Sequence, residues 1–215
     1  MPRNSAVGKK ASQYKPEVYR DSQCALCKLK KPFDLPPEIV SAYRHGKLII
    51  FAGSGVSTES REVYPSTFYQ YIKHKLNLPE DKNIRFSQLM TLYSSPPQSR
   101  KHLLNAIRDR IEYVKTFPEL YNRATEFHQE LSTIPHLDEI FTTNWDDFFE
   151  RECYATPIIT GEDYAVLEDT LGRKVFKLHG SINSFGSIVA TAVSYTHLRA
   201  HETVLDLVCR LLLEK

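Results

Sequence analysis

The sequence lacks the long apolar segments of a membrane protein: none of its 215 residues lies in an apolar run near the 18 or so residues that a transmembrane helix requires. It also lacks a strong charge of either sign. A formal net charge of +2 does not point to nucleic acid or an acidic membrane as a partner. No apolar segment follows the first basic residues, so the sequence predicts no secretory signal. We therefore expect a cytoplasmic protein, and its hydrophobic fraction of 41% is typical of a globular domain.

Cysteine is scarce, and its spacing does not complete a metal site. The four cysteines are Cys24, Cys27, Cys153 and Cys209, and only the first two form a C-x-x-C pair. A structural zinc site usually takes four ligands, often from two such pairs. The pair is therefore either half of a zinc site completed elsewhere or two reduced cysteines in a turn, which is the interpretation that we favour. We predict no bound metal.

The chain divides by composition into a lead, a domain and a tail. Residues 1–34 are basic and polar and indicate a flexible lead that contains the C-x-x-C pair. Residues 35–192 alternate short apolar runs with amphipathic segments, a pattern typical of an α/β, Rossmann-like doubly wound parallel sheet. The predicted strands are Leu48–Phe51, Glu139–Thr142, Thr156–Thr160, Val175–Leu178 and a fifth that begins at Ser187–Ala190.

Helical spacing fills the long interval between the first two predicted strands, which indicates a helical insert. A short helix from Leu35 to about His45 precedes the first strand, and Gly46 ends it. The other predicted helices are Pro65–Leu76, Phe86–Tyr93, one that spans Leu103–Val114, one that begins at Pro118, and Trp145–Cys153.

Three short motifs each follow a predicted strand. They are Phe51–Thr58 (FAGSGVST), Phe141–Asp146 (FTTNWD) and Lys177–Ser181 (KLHGS). In open α/β sheets, ligands bind at the carboxyl ends of the strands. We therefore expect the three motifs to meet in one ligand site.

The first motif is a glycine-rich turn. Gly53 and Gly55 flank Ser54, and glycines allow a sharp turn and a close approach of backbone N–H groups to a pyrophosphate. The third glycine of the general dinucleotide fingerprint is absent, because Thr58 occupies its position. Ser57 adds a hydroxyl that can contact phosphate or ribose. An ordinary strand-to-helix turn is the alternative.

The other two motifs carry side chains suited to sugar and water chemistry. Asn144 offers both a donor and an acceptor to a ribose hydroxyl or a water. Asp146 can accept from a ribose or cap the following helix, and capping is the commoner role for such a residue. His179, whose ordinary pKa lies near neutrality, is a candidate general base, with a structural role as the alternative. We expect Asp147 to face solvent or the same helix end, and Trp145 to pack in the core.

In order and spacing, these motifs resemble the sirtuin superfamily. The resemblance covers Gly46 to about Ala190 and is carried by Gly53–Ser57, Thr143–Asp146 and Lys177–Gly180. It favours the zinc-less, prokaryotic-type sirtuin-like branch over the protein deacylases, because the zinc ribbon and the Gly-Ile-Pro-Asp-Phe-Arg segment of the latter are absent. It implies a Rossmann-like domain that takes NAD as a substrate and needs no metal.

The resemblance also implies an activity and its residues. Many members of this branch are NAD glycohydrolases that release nicotinamide in antiphage defence, with a histidine as the base. The alternatives are an NAD-dependent protein deacylase and a non-catalytic sensor module that binds NAD or ADP-ribose. The implied catalytic residues are His179 and Asn144, and the implied NAD-binding residues are Gly53, Ser54, Gly55, Ser57, Thr143, Asn144 and Asp146.

The tail differs from the rest of the chain. Residues 193–215 resemble the translation of a common sequencing adapter, so we assign no functional role to His197, His201 and Cys209. The natural domain would then continue beyond about Ala192 with different residues, and the chain would hold a truncated domain, either active or inactive. The family resemblance implies that a sensor or self-association region can follow such a domain.

Overall fold

A computed structural model describes residues 35–200 except 166 and 168. Cys24, Cys27 and Cys209 therefore lie outside the described residues. Within them, four parallel strands form one sheet in the order β1-β2-β4-β3. The predicted α/β class with a Rossmann-like parallel sheet is confirmed. The strands are β1 (Ile49–Ala52), β2 (Glu139–Thr142), β3 (Thr156–Ile158) and β4 (Lys174–Lys177).

The helices follow the predicted order closely, and four of them form the insert between β1 and β2. The first helix ends before Gly46, which has a positive φ of 63° that glycine tolerates. Pro118 occupies the first turn of a helix, where its missing N–H costs little. The helices are α1 (Pro37–Arg44), α2 (Phe68–Lys75), α3 (Phe86–Tyr93), α4 (Arg100–Thr116), α5 (Pro118–Ser132), α6 (Phe148–Glu152), α7 (Gly161–Tyr164) and α8 (Ala192–Ala200).

The insert has a hydrophobic core of its own. Each of its helices contributes one apolar stripe, as the 3.6-residue period of the sequence requires. Thr67 begins α2 with a capping box, in which its side chain and that of Gln70 each bond to the backbone of the other residue. The fully buried side chains of this core include Ile72, Leu89, Met90, Leu103 and Val114.

The central strands β2 and β4 are buried on both faces over most of their length, as is usual for parallel strands, whereas the edge strand β1 exposes Phe51. Successive side chains of a strand point to opposite faces. Ile140 and Val175, paired across β2 and β4, therefore share one face. Phe141 and Phe176 share the other, where their rings stack with centroids 4.5 Å apart.

The predicted fifth strand is wrong. Ser187 ends a short 3₁₀ helix (Phe185–Ser187), and residues 188–190 form no strand. Two backbone N–H groups of this segment have partners outside the sheet. The N–H of Val189 donates to the carbonyl of His179 at 2.9 Å, and the N–H of Ala190 donates to Ser194 Oγ at 3.3 Å. The apolar side chains pack on the core of the helical insert, so burial produced the apolar run without sheet pairing.

The helix expected over Trp145–Cys153 begins only at Phe148. The preceding residues form a loop, and this loop carries most of the second motif. No helix within the described residues 35–200 combines the length and the apolar character that crossing a membrane demands.

Candidate active site

The three motifs meet at one edge of the sheet, as predicted from their positions after β1, β2 and β4. Thr142, the last residue of β2, joins two of them: its hydroxyl donates to the carbonyl of Ala52 at 2.9 Å and accepts from the N–H of Asn144 at 3.0 Å. Its own carbonyl accepts from the N–H of Leu178 at 2.9 Å. The strand ends are thus tied together by the side chain and backbone of one buried threonine.

A cavity of about 430 Å³ lies above these strand ends, within the size range of ligand pockets. Its floor comes from the motifs and its walls from the helical insert and α8. Five residues predicted for the site line it, namely Ser54, Thr143, Asn144, Asp146 and His179. The other lining residues are Thr58, Glu59, Thr67, Phe68, Tyr69, Phe86, Ile107, Arg110, Ile111, Trp145 and Tyr195.

The glycine turn borders this cavity and is open. Gly53 and Gly55 are exposed, neither has a positive φ, and a Cβ built on either would meet no atom within 4 Å. Neither backbone strain nor packing therefore requires glycine at these positions. The turn continues as a short 3₁₀ helix (Ser54–Val56), so no α-helix begins directly after it. The missing Cβ atoms leave room for a ligand to approach the backbone.

A buried hydrogen-bond chain links the first two motifs. Asn144 Nδ2 donates to Ser57 Oγ at 3.2 Å, and Ser57 Oγ donates to Asp146 Oδ2 at 2.8 Å. Ser57 is fully buried and does not line the cavity, so it holds the side chains of Asn144 and Asp146 from the protein interior. The other oxygen of Asp146 accepts from the N–H of Phe148, the first residue of α6, at 3.3 Å. The N-cap residue of this helix is Asp147 and not Asp146, and its side chain makes no capping bond.

Asn144 retains an unused acceptor. Its side chain is buried, with 2% of the residue exposed, and its Oδ1 has no hydrogen-bond partner. A buried polar atom without a partner carries a cost of about 1–3 kcal/mol, which a ligand hydroxyl or a water at this position would relieve. Because Asn144 lines the cavity, this oxygen is suited to orient a bound molecule.

His179 lines the same cavity, directly after β4 and Leu178. Its burial lowers the pKa of the imidazole below the ordinary value, so the ring is neutral at neutral pH and can accept a proton. Its Nδ1 lies 3.5 Å from the hydroxyl of Tyr195, and the two rings meet edge to face. Gly180, which follows, has a φ of 80° and packs against Ser187.

The apolar wall was not predicted from the sequence. Trp145, expected only to pack in the core, contacts Phe68 edge to face and Phe86 at a centroid distance of 6.1 Å, and all three line the cavity. The indole Nε1 of Trp145 is buried without a partner. The predicted helices include Phe68 and Phe86, but the sequence pattern does not show that these two rings face a ligand cavity.

An ion pair in the cavity wall was also missed. Glu59 Oε1 accepts from Arg110 Nε at 3.0 Å, and its other oxygen accepts from the N–H of Phe68 at 2.6 Å, at the start of α2. The guanidinium of Arg110 lies 3.7 Å from the ring centroid of Tyr64, whose pKa burial raises to about 12. This network fixes the segment after the glycine turn to α4. Glu59 and Arg110 are 51 positions apart in the sequence, so no local pattern indicated this ion pair.

Asp147 lies at the start of the helix α6, which is one of its two expected positions, and the solvent-facing alternative is wrong. Only 4% of this residue is exposed, and its carboxylate pairs with Lys115 at 2.9 Å and Arg151 at 2.7 Å. Burial alone would raise its pKa, but the two cations outweigh burial and lower the pKa below its usual range. Asp147 therefore anchors the start of α6 to α4 and does not face solvent.

The described residues contain no group of three or more His, Cys, Asp or Glu side chains that could hold a metal ion. Cys153 is buried, and its thiol donates to the carbonyl of His128 at 3.2 Å. Burial raises the pKa of this thiol, so it is not a reactive thiolate.

A comparison with protein families matches the C-terminal part of the chain. Residues 138–215 match the family model of the SIR2-like domain. The matched range includes Asn144, Asp146 and His179 but not the glycine turn. A comparison with curated proteins found no match. The family match supports a sirtuin-like domain in this chain, and SIR2-like domains use NAD.

Proposed function

We propose, from the SIR2-like match and the cavity geometry, that this chain is an NAD glycohydrolase that releases nicotinamide. The observation that carries the proposal is the pair of groups in one cavity: the unpartnered Oδ1 of buried Asn144 and the neutral imidazole of His179. One orients a ribose hydroxyl or a water, and the other accepts a proton. Hydrolysis of a glycosidic bond requires both actions.

In the proposed reaction, the bond between ribose C1′ and the nicotinamide nitrogen breaks, and its electron pair leaves with neutral nicotinamide. The sugar passes through an oxocarbenium-like state. The oxygen of a water forms the new bond to C1′, which gives ADP-ribose, and the released proton passes to His179. Asn144 holds the water or the ribose during this step.

The remaining predicted residues have supporting roles in this proposal. The open backbone at Gly53, Ser54 and Gly55 approaches the pyrophosphate, since no side chain obstructs it. Ser57 holds Asp146 and Asn144 in place through its hydroxyl. Thr143 lines the cavity beside Asn144 and completes the ribose end.

The test is incubation of the purified chain with NAD, with free nicotinamide and ADP-ribose measured by chromatography. We expect His179→Ala to lower kcat by about 10²- to 10⁴-fold, the usual contribution of a general base, and Asn144→Ala to lower it by at least about tenfold. His102, which is exposed, and Asn105, which is half-buried, lie on α4 outside the cavity lining and provide matched controls for replacement by alanine.

Other outcomes would identify a different function. Release of nicotinamide only in the presence of an acylated peptide would indicate a deacylase. Binding of NAD without cleavage would indicate a sensor module. If His179→Ala and Asn144→Ala leave hydrolysis unchanged, the assigned residues are wrong.

For the biological setting, we propose antiphage defence by NAD depletion in the cytoplasm, supported by the family resemblance. Bacteria that carry the natural gene are expected to lose NAD after phage infection, and bacteria with the His179→Ala gene are not. Equal NAD levels in both strains would reject this setting without rejecting the hydrolase activity.

A further inference from the structure

A buried lysine lies between the second and third motifs. Lys177 is the last residue of β4, and none of its side chain is exposed. Its ammonium donates to the backbone carbonyl of Asp146 and to Glu150 Oε1, the latter at 3.2 Å. A buried ammonium is costly unless it is paired and hydrogen-bonded, and these two contacts provide its compensation.

The charges around this lysine are also buried. Glu150 lies on α6, with 13% of its side chain exposed, and burial raises its pKa although Lys177 acts to lower it. Asp146 lies close enough to act on Glu150, and the imidazole of His128 is kept neutral by its own burial. Lys177 is thus the cation of a buried group with two carboxyls. A protein in which apolar side chains of similar volume replace a buried ion pair is often equally stable, so stability alone does not explain the presence of Lys177.

The contacts of Lys177 join the two catalytic segments. Its Nζ holds the carbonyl of Asp146, two residues after Asn144, while its backbone lies two residues before His179. The loop is held at a second point, where the N–H of Ile182 donates to the carbonyl of Trp145 at 2.7 Å. The loop after β2 is therefore hydrogen-bonded to Lys177, which precedes His179, and to Ile182, which follows it.

We propose that Lys177, paired with Glu150, is a positioning residue that fixes the Asn144–Asp146 loop relative to His179. Its effect on catalysis rests on the proposed NAD hydrolysis, but its effect on the loop does not. Trp145 reports on the loop directly, because it is the only tryptophan of the chain and precedes the carbonyl that Lys177 holds.

The experiment compares the double variant Lys177→Met/Glu150→Gln with the full wild-type chain. Both partners of the ion pair are removed together, so neither is left buried without the other. The carboxylate of Asp146 keeps its hydrogen bonds to Ser57 and to the N–H of Phe148. Lys174→Met is the matched control: Lys174 is at the other end of β4, and its ammonium lies at the surface. The measurements are urea unfolding, acrylamide quenching of Trp145 fluorescence, and kcat and KM for nicotinamide release.

We expect the double variant to unfold cooperatively and to show stronger acrylamide quenching of Trp145. We expect its kcat to fall on the order of 10- to 100-fold, since displacement of a catalytic group by about 1 Å has effects of this size, while KM changes less than about twofold. The control should match the wild type in all three measurements. A folded double variant with wild-type quenching and wild-type kcat would overturn the proposal.

Two further outcomes are distinguished by design. If the wild-type chain releases no nicotinamide, the proposed function fails, and Trp145 quenching still decides whether Lys177 fixes the loop. If the double variant does not fold, Glu150→Gln alone is tested, with a smaller change expected in the same direction. Failure of both variants to fold would make the pair a requirement for folding and would reject the positioning role.

Discussion

Replacement of Gly180 by alanine tests the turn that follows His179. Gly180 has a φ of 80°, and a Cβ built there would lie 2.2 Å from the carbonyl oxygen of Ser187 and 2.4 Å from its carbonyl carbon. Both are backbone atoms, so relief requires the chain itself to move. A residue with a side chain in the left-handed region costs about 1–2 kcal/mol. Overpacking of a closed site costs a further 1–3 kcal/mol or so.

An effect on the unfolded chain offsets about 0.4–1 kcal/mol of this cost, because unfolded alanine has less conformational freedom than unfolded glycine. We therefore expect Gly180→Ala to lower the free energy of unfolding by roughly 2–4 kcal/mol. Two other glycines allow the backbone cost and the overpacking cost to be measured separately. Gly172 has the same φ of 80° but open space around its Cβ position, so Gly172→Ala should cost about 1 kcal/mol. Gly186 has neither constraint, so Gly186→Ala should be neutral or slightly stabilising.

The assay is urea unfolding followed by Trp145 fluorescence, with the free energy of unfolding from linear extrapolation. The expected order of destabilisation is Gly180, then Gly172, then Gly186. If Gly180→Ala costs no more than Gly172→Ala, the turn after His179 is not packed against Ser187 as described, and the reasoning from the clash is refuted.

Three further predictions follow from the same features. His179 must be deprotonated to act as a base, and burial lowers its pKa. We therefore expect kcat/KM for nicotinamide release to be constant above about pH 6.5 and to fall with a midpoint below that pH. A midpoint above pH 7 would contradict this role. Burial also lowers the pKa of His128, so the unfolded chain binds the proton more tightly than the folded chain, and the free energy of unfolding should decrease as pH falls below about 6.5. His128→Leu should remove this part of the pH dependence of urea unfolding. An equal pH dependence in the wild type and the variant would refute this prediction. The source gene, read past codon 192, is expected to encode a sequence different from residues 193–215, and an unbroken reading of the same codons would show that the tail is genuine.

The meeting of the motifs could be predicted from the sequence because it follows from topology. The carboxyl ends of parallel strands lie at one edge of a sheet, so Asn144 and His179 had to come close once β2 and β4 were recognised as parallel neighbours. The bond from the N–H of Phe148 to Asp146 is equally local, since the two residues are two positions apart, but the N-cap position itself falls on Asp147.

Contacts between distant segments could not be predicted in the same way. The burial of Asp147 depends on Lys115, which lies on a helix of the insert, and the Glu59–Arg110 pair joins two segments without any local pattern. The apolar run at 187–190 had the composition of a strand but packs on the insert, because burial selects the same residue types in both cases. Periodicity identifies what is buried, and only the fold identifies what it is buried against.

The hydrogen bond from Ser57 to Asp146 joins residues that are 89 positions apart, with the whole helical insert between them. Closing a loop of that length carries an entropic cost that grows with the number of residues, and prior folding of the insert into its own core shortens the flexible part. Because Phe68, Phe86 and Arg110 of the insert also line the cavity, a chain in which α2–α5 are unpacked has no complete cavity.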